Sequence, residues 1–305
     1  MSEHTHSHNQ QLASNRKALI VALSITLIMT VVEVVGGILS NSLALLGDAG
    51  HMLTDSLALG LSLLAVQMCC KPPDSKRTYG YYRTEILVAL LNGLTLALIS
   101  FYIFYQAYNR FTNPPQVRAP LMLVVATIGL IANLLGILVL RRGSQENLNV
   151  KGAFLHILGD TLSSVGVIVG GIIIYFTNFY LADPIIAVLI GLIILKGAMG
   201  LLFQSTDILL EAVPKHLNLE FIKSELEKME GIKGVHDIHI WTITSGIYAL
   251  SGHLFIDDQM ISKTKQILEN VNQLLKEKFR ISHTTLQIEC TECNQLSVCS
   301  LNERI

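Results

Sequence analysis

The chain has 305 residues, is 51% hydrophobic and only 15% charged, and carries a formal net charge of −1. Ordinary soluble domains hold about 25% charged residues, so this balance argues against a single soluble domain, and the lack of a basic stripe argues against a nucleic-acid partner. The deficit is uneven: residues 18–204 are dominated by Leu, Ile, Val, Ala and Gly, whereas 207–305 read as a soluble domain. The expected organisation is a polar tail over 1–17, a membrane part over 18–206 and a soluble domain over 207–305.

The tail contains His4, His6 and His8. The first apolar run is too long for a signal h-region, so no cleavable signal peptide is expected. A spanning helix needs about 20 apolar residues. Six stretches qualify: 18–39, 44–68, 85–107, 119–140, 152–176 and 183–203. Lys71-Pro72-Pro73-Asp74 and Asn113-Pro114-Pro115 are clear breaks, and Asp183-Pro184 opens the sixth segment. Arg16, Lys17, Lys71, Lys76, Arg77, Arg83, Arg141, Arg142 and Lys151 flank one side, whereas only Arg110 and Arg118 fall on the other. The positive-inside rule then places both termini in the cytoplasm.

In the tail domain, Leu219–Met229 reads as a helix, Val235–Thr242 and Ile247–Ile256 as strands, Ser262–Phe279 as an amphipathic helix and Thr284–Cys290 as a last strand. The order αββαβ predicts a small open-faced two-layer α+β unit of metallochaperone-like type. The fold class is thus an all-α six-helix transmembrane bundle followed by a cytoplasmic α+β domain. The cysteines are Cys69, Cys70, Cys290, Cys293 and Cys299. An odd number predicts no disulfide framework, and thiols in a reducing compartment serve more often as metal ligands.

Segment two holds Asp48, His51 and Asp55, and segment five holds His156 and Asp160. A charged side chain at the centre of a bilayer costs about 2.5 to 3.5 kcal/mol on the insertion scale, a cost that points to function. His51 and Asp55 are four residues apart, as are His156 and Asp160, so each pair shares one helix face. Two such helices facing one another offer two imidazole nitrogens and two carboxylate oxygens, a tetrahedral set suited to zinc. Asp48 reads either as an outer relay group or as a cap or bond within the bundle. Glu33 reads as a proton relay or a structural hydrogen-bonding group. Asn92 and Asn133 read as interhelical contacts, and Gly166-x-x-x-Gly170 permits close helix approach within or between subunits.

The stretch Ser42-Leu43-Ala44-Leu45-Leu46-Gly47-Asp48-Ala49-Gly50-His51-Met52-Leu53-Thr54-Asp55 resembles the second span of the cation diffusion facilitator family. Asn147–Ala153 through His156 and Asp160 resembles its fifth span, and His236-Asp237-Ile238-His239-Ile240-Trp241 the first strand of its cytoplasmic domain. The likeness covers nearly the whole chain and is nearest the zinc-exporting subgroup. It implies a homodimeric zinc/proton antiporter in a prokaryotic plasma membrane, working by alternating access through His51, Asp55, His156 and Asp160. The resemblance implies zinc both as the transported ion and as a regulatory ligand. Cadmium, iron and other divalent cations are further candidates, and His51 goes with preference for zinc over cadmium.

The resemblance also matches His253, His283 and Glu289 to a family zinc site, with His236 matching a ligand in other members. Cys290-x-x-Cys293 matches a terminal pair that binds zinc with an amino-terminal histidine motif, here His4, His6 and His8. Gln287 stands where one bacterial pattern has a histidine. Strand alternation is expected to keep His236 and His239 on opposite faces. Arg83 and Glu211 match a charge interlock. The rival reading is a membrane metal sensor that signals through its tail; an intramembrane metalloprotease is disfavoured because no His-Glu-x-x-His motif occurs.

Overall fold

The computed structural model describes residues 24, 26–69, 74–140 and 148–290, and their side chains except 55, 58–69, 139–140 and 148–157. His4, His6, His8, Cys70, Cys293, Cys299 and the side chains of Cys69, Asp55 and His156 therefore lie outside the described residues, as do several of the orientation charges, among them Arg16, Lys71 and Arg141.

Six helices make up the membrane part: α1 (Thr26–Ser40), α2 (Leu43–Cys69), α3 (Thr84–Thr112), α4 (Ala119–Leu140), α5 (Leu148–Thr177) and α6 (Ala182–Leu209). Among the described residues, α3 to α6 contain windows long and apolar enough to cross a membrane, and α1 is a shorter apolar helix. Their interiors lack proline; Pro120 and Pro184 sit in first turns, where a missing N–H costs nothing. Asn41 (φ 56°) turns the chain from α1 to α2 and Asn178 (φ 52°) from α5 to α6. Asparagine tolerates this left-handed conformation better than most side chains. The extra turn at the end of α3 carries Arg110, which the hydropathy pattern places in a loop; its guanidinium finds partners in the bundle.

The chain divides into two compact units, one of residues 1–63 and 91–202, the other of 64–90 and 203–305. Leu45, Met122, Val167, Ile174 and Ala187 are buried in the core of the first unit. Two glycines set close approaches there. A Cβ on Gly36 would lie 2.5 Å from Val125 Cγ2, and one on Gly170 would lie 2.3 Å from Ile186 Cδ1. The small-residue spacing in α5 thus serves contact with α6 of the same subunit.

In the second unit, α7 (Leu219–Glu227), β1 (Ile232–Thr244), β2 (Ile247–Ile256), α8 (Ile261–Phe279) and β3 (Ile281–Glu289) follow the expected αββαβ order. The sheet order is β1-β2-β3, with β1 antiparallel and β3 parallel to β2. Asn218 caps α7 by accepting from Phe221 N at 3.0 Å. Val271, Leu275 and Phe279, at four-residue spacing on α8, are buried against Ile222, Ile238, Leu250 and Leu254. One face of the sheet therefore meets the helices, and the other is left for polar side chains.

The strand β1 carries a bulge. His236 pairs with His253 and His239 with Ser251, so one extra residue enters β1 between them, and Asp237 adopts φ 50°. The bulge reverses the alternation: Val235 is in the core before it, Ile238 and Ile240 after it. His236 and His239 consequently share the outer face, against the sequence expectation. At the other end of the hairpin, Thr244 Oγ1 and Ser245 Oγ both donate to Glu85 in the first turn of α3. Arg83 Nη2 lies 2.8 Å from Glu211 Oε1, a pair with both side chains largely exposed.

Candidate metal sites

Within the first unit, α2 carries His51 and α5 carries Asp160, and the two face each other with His51 Nε2 4.0 Å from Asp160 Oδ1. Asp160 is 2% exposed, and the carboxylates of Glu33 (1%) and Asp48 (2%) are buried in the same bundle. Asn133 of α4 donates to Ser164 Oγ of α5 at 3.4 Å, as an interhelical contact should. The Glu33 carboxylate packs against α4, where a Cβ on Gly129 would lie 2.8 Å from Glu33 Oε1. A side chain at 129 would require the Glu33 carboxylate to move.

The 4.0 Å separation is too long for a direct hydrogen bond. Zinc bonds of about 2.0–2.2 Å at a tetrahedral angle put two ligand atoms about 3.4 Å apart. A small closure of α2 on α5 would therefore place one ion between the two side chains. Asp55 follows His51 by four residues in α2, and His156 precedes Asp160 by four in α5; the backbone of both helices is continuous through these positions.

Asp48 does not cap α2. That task falls to Asp183 at the start of α6, a residue that is 0% exposed. Its Oδ1 accepts from Ser42 Oγ (2.6 Å) and Ala44 N (3.2 Å), and its Oδ2 from Leu43 N (2.7 Å) and Arg110 Nη1 (3.1 Å). A carboxylate on the first free N–H groups of a helix satisfies donors that have no partner within the helix and complements its dipole. Arg110 balances the charge and also donates to Asn41 O at 2.7 Å. Sequence reasoning missed this clamp. The one hint was an Arg at the end of the third apolar span and an Asp at the start of the sixth, two spans far apart in the chain.

The outer face of the sheet holds the second cluster. His236 Nε2 lies 3.1 Å from Glu289 Oε2, and His253 Nδ1 lies 3.0 Å from Glu289 Oε1. The imidazole rings stand 5.1 Å apart, edge to face. Ligand atoms of the three residues all lie within 4.8 Å of one another. The two nitrogens that face Glu289, His236 Nε2 and His253 Nδ1, are buried and have no aligned hydrogen bond. Gln287 Nε2 donates to Glu289 Oε1 at 2.8 Å and steadies that carboxylate. The residue types and spacing fit a borderline-soft cation such as zinc, with a fourth position left for water.

The structure does not bring His283 to this cluster. It pairs in register with Ala249, four residues along β2 from His253 and six along β3 from Glu289. At about 3.3 Å per residue these separations are roughly 13 and 20 Å. His283 instead meets the ring of Tyr79, centroids 5.5 Å apart. Cys290 is exposed at the end of β3. The residue missed by sequence reasoning is Asp237, whose Oδ1 lies 3.0 Å from His239 Nε2 and whose Oδ2 lies 3.8 Å from His253 Nε2.

The cation efflux transmembrane domain matches residues 19–210, and the cytoplasmic domain of cation efflux proteins matches residues 214–290. The chain is 44% identical to the cation efflux system protein CzcD of Alcaligenes sp. over 95% of its length and 91% of the relative's. It is 41% identical to a cadmium, cobalt and zinc/H(+)-K(+) antiporter of Bacillus subtilis, over 93% of this chain and 91% of that one. It is 38% identical to the zinc transporter ZitB of Pectobacterium atrosepticum, over 95% and 90%.

Proposed function

This chain belongs to the cation efflux family, and we propose that it works there as a proton-coupled exporter of zinc and related divalent cations. It is a multi-pass membrane transporter of metal cations rather than a catalyst. The observation that carries the finer reading is the approach of His51 to Asp160 across two helices, inside a bundle that also buries Glu33 and Asp48. In this reading Asp55 and His156 complete a His2Asp2 transport site. The names of the Bacillus and Pectobacterium relatives support antiport and zinc, and the Bacillus name extends the range to cadmium and cobalt.

The coupling follows from ligand chemistry. An imidazole binds metal only when neutral and a carboxylate only when ionised, so capture of a divalent ion displaces protons. A free imidazole titrates near pH 6.5, approximately, within reach of physiological gradients. With the site open to the cytoplasm, zinc replaces protons on the histidines and aspartates; with it open to the far side, protons replace zinc. A site that holds one cargo or the other, never both, yields exchange by alternating access.

Both termini lie in the cytoplasm of a bacterial cell in this account, with the tail over 1–17, the transport domain over 18–206 and the regulatory domain over 207–305. The C-terminal domain joins two copies into a homodimer. His236, His253 and Glu289 hold a regulatory ion that cross-links β1, β2 and β3. Cys290, with Cys293 and the tract of His4, His6 and His8, is a further candidate for metal capture.

The test uses purified protein in sealed liposomes with a zinc-sensitive dye inside. Imposing a pH gradient should drive zinc movement, and zinc added without a gradient should move protons the other way. Zinc flux indifferent to pH would rule out antiport and leave a passive pathway.

A further inference from the structure

We infer that Asp237 is a positioning residue for the metal cluster on the outer face of the sheet: it orients His253 so that Nδ1 of that ring, not Nε2, is presented to the ion. The inference rests on the reading of His236, His253 and Glu289 as a metal site.

Asp237 lies inside β1 yet adopts φ 50°, a conformation costly to most side chains and least so to Asn, Asp and Gly. Strand alternation would turn residue 237 towards the helices, where Val235, Ile238 and Ile240 pack. The bulge prevents this: Ile238 takes the next core position, and the Asp237 carboxylate emerges beside the imidazoles. Strain held in place by surrounding packing commonly accompanies function. The same bulge brings His239 to this face, where its Nε2, 3.0 Å from Asp237 Oδ1, ties down one carboxylate oxygen.

The other oxygen is directed at His253. The two nitrogens of that ring face opposite carboxylates: Nδ1 is 3.0 Å from Glu289 Oε1, and Nε2 is 3.8 Å from Asp237 Oδ2. A shift of about 1 Å makes the second contact a hydrogen bond. A carboxylate on one imidazole nitrogen holds the proton there, so the lone pair falls on the other. It also raises the basicity of the ligating nitrogen. Gln287 Nε2 holds Glu289 Oε1, the oxygen that faces His253, so two of the three residues have a polar neighbour that steadies them.

Metal titration of the full-length protein in detergent against a chromophoric chelator tests this, with wild type, His253→Ala and Asp237→Asn compared. Asparagine also tolerates the left-handed backbone, so Asp237→Asn keeps the bulge while removing the charge. His253→Ala should lose one equivalent of zinc. Asp237→Asn should keep every equivalent but bind at this site about 10- to 100-fold more weakly. With cobalt as probe, its visible absorption bands should stay in place in Asp237→Asn, because the ligand atoms are unchanged, and alter in His253→Ala. Affinity within twofold of wild type in Asp237→Asn would overturn the inference and leave the metal site standing. Loss of an equivalent in Asp237→Asn would make Asp237 a ligand and overturn it too. An unchanged stoichiometry in His253→Ala would remove the site itself, and the inference with it.

Discussion

Arg110 and Asp183 form an ion pair at the ends of α3 and α6, Nη1 to Oδ2 3.1 Å, with the Arg side chain 15% and the Asp side chain 0% exposed. The same carboxylate caps the first turn of α2, the helix that carries His51. Three helix ends thus meet at one buried charge, which fixes where α2 begins.

Removing that charge should therefore cost far more than an ordinary polar substitution. Asp183→Ala removes the acceptor of the Leu43 and Ala44 N–H groups and leaves Arg110 bonded to Asn41 but without its carboxylate partner. Breaking one partner of a buried pair typically costs about 3 to 5 kcal/mol. Thermal unfolding in detergent should show a large drop for Asp183→Ala and a smaller one for Asp183→Asn, which keeps an acceptor oxygen. Equal, slight effects would mean that the clamp contributes little.

The clamp also marks a limit of what sequence patterns reveal. The limits of the second to sixth spans and the αββαβ order were legible because hydropathy and periodicity are local; those helices begin and end within a few residues of expectation except at the polar ends of α3 and α6, while the expected start of the first span at 18 lies outside the described residues. The partner of Asp183 was not legible, since Ser42, Arg110 and Asp183 meet only through tertiary packing. The bulge at Asp237 was equally hidden: nothing in His-Asp-Ile-His announces a left-handed residue, and without it His236 and His239 fall on opposite faces. The distance of His283 from Glu289, by contrast, follows from six residues of strand and was open to exclusion from the chain alone.

Glu85 accepts from two hydroxyl groups at the tip of the β1–β2 hairpin. Hydrogen bonds to a charged group contribute about 1.5 to 3 kcal/mol each. Glu85→Ala should raise amide hydrogen exchange at Thr244–Gly246 while leaving β3 protected. Unaltered exchange at the tip would show that the hairpin is held by the sheet alone.

The C-terminal domain should have an acid-sensitive tether. Hydrogen bonds from Lys228 and Lys278 hold the Glu225 carboxyl at about 2, below its ordinary 4.5. A depressed pKa contributes stability that is complete above about pH 4.5 and is lost as pH falls through about 2. The single tryptophan, Trp241, lies in β1 and reports unfolding of this domain by fluorescence. Lys278→Ala should make the acid-induced loss in that window shallower. An identical acid profile would remove the tether from the account.

Replacing an imidazole by a carboxylate should change which ion is carried. In the proposed His2Asp2 site, His51→Asp would convert an N2O2 set into an NO3 set, which is less suited to tetrahedral zinc and more accepting of a larger ion. The ratio of cadmium to zinc flux in liposomes should rise. A ratio equal to that of wild type would place selectivity elsewhere.

In the proposed transport cycle His51 and Asp160 grip the ion together. Zinc flux into liposomes driven by a pH gradient, compared between wild type and Asp160→Ala at matched reconstitution, tests it most directly. The account predicts that Asp160→Ala protein, folded and inserted, moves no zinc above the empty-liposome background. Zinc transport at the wild-type rate would contradict it.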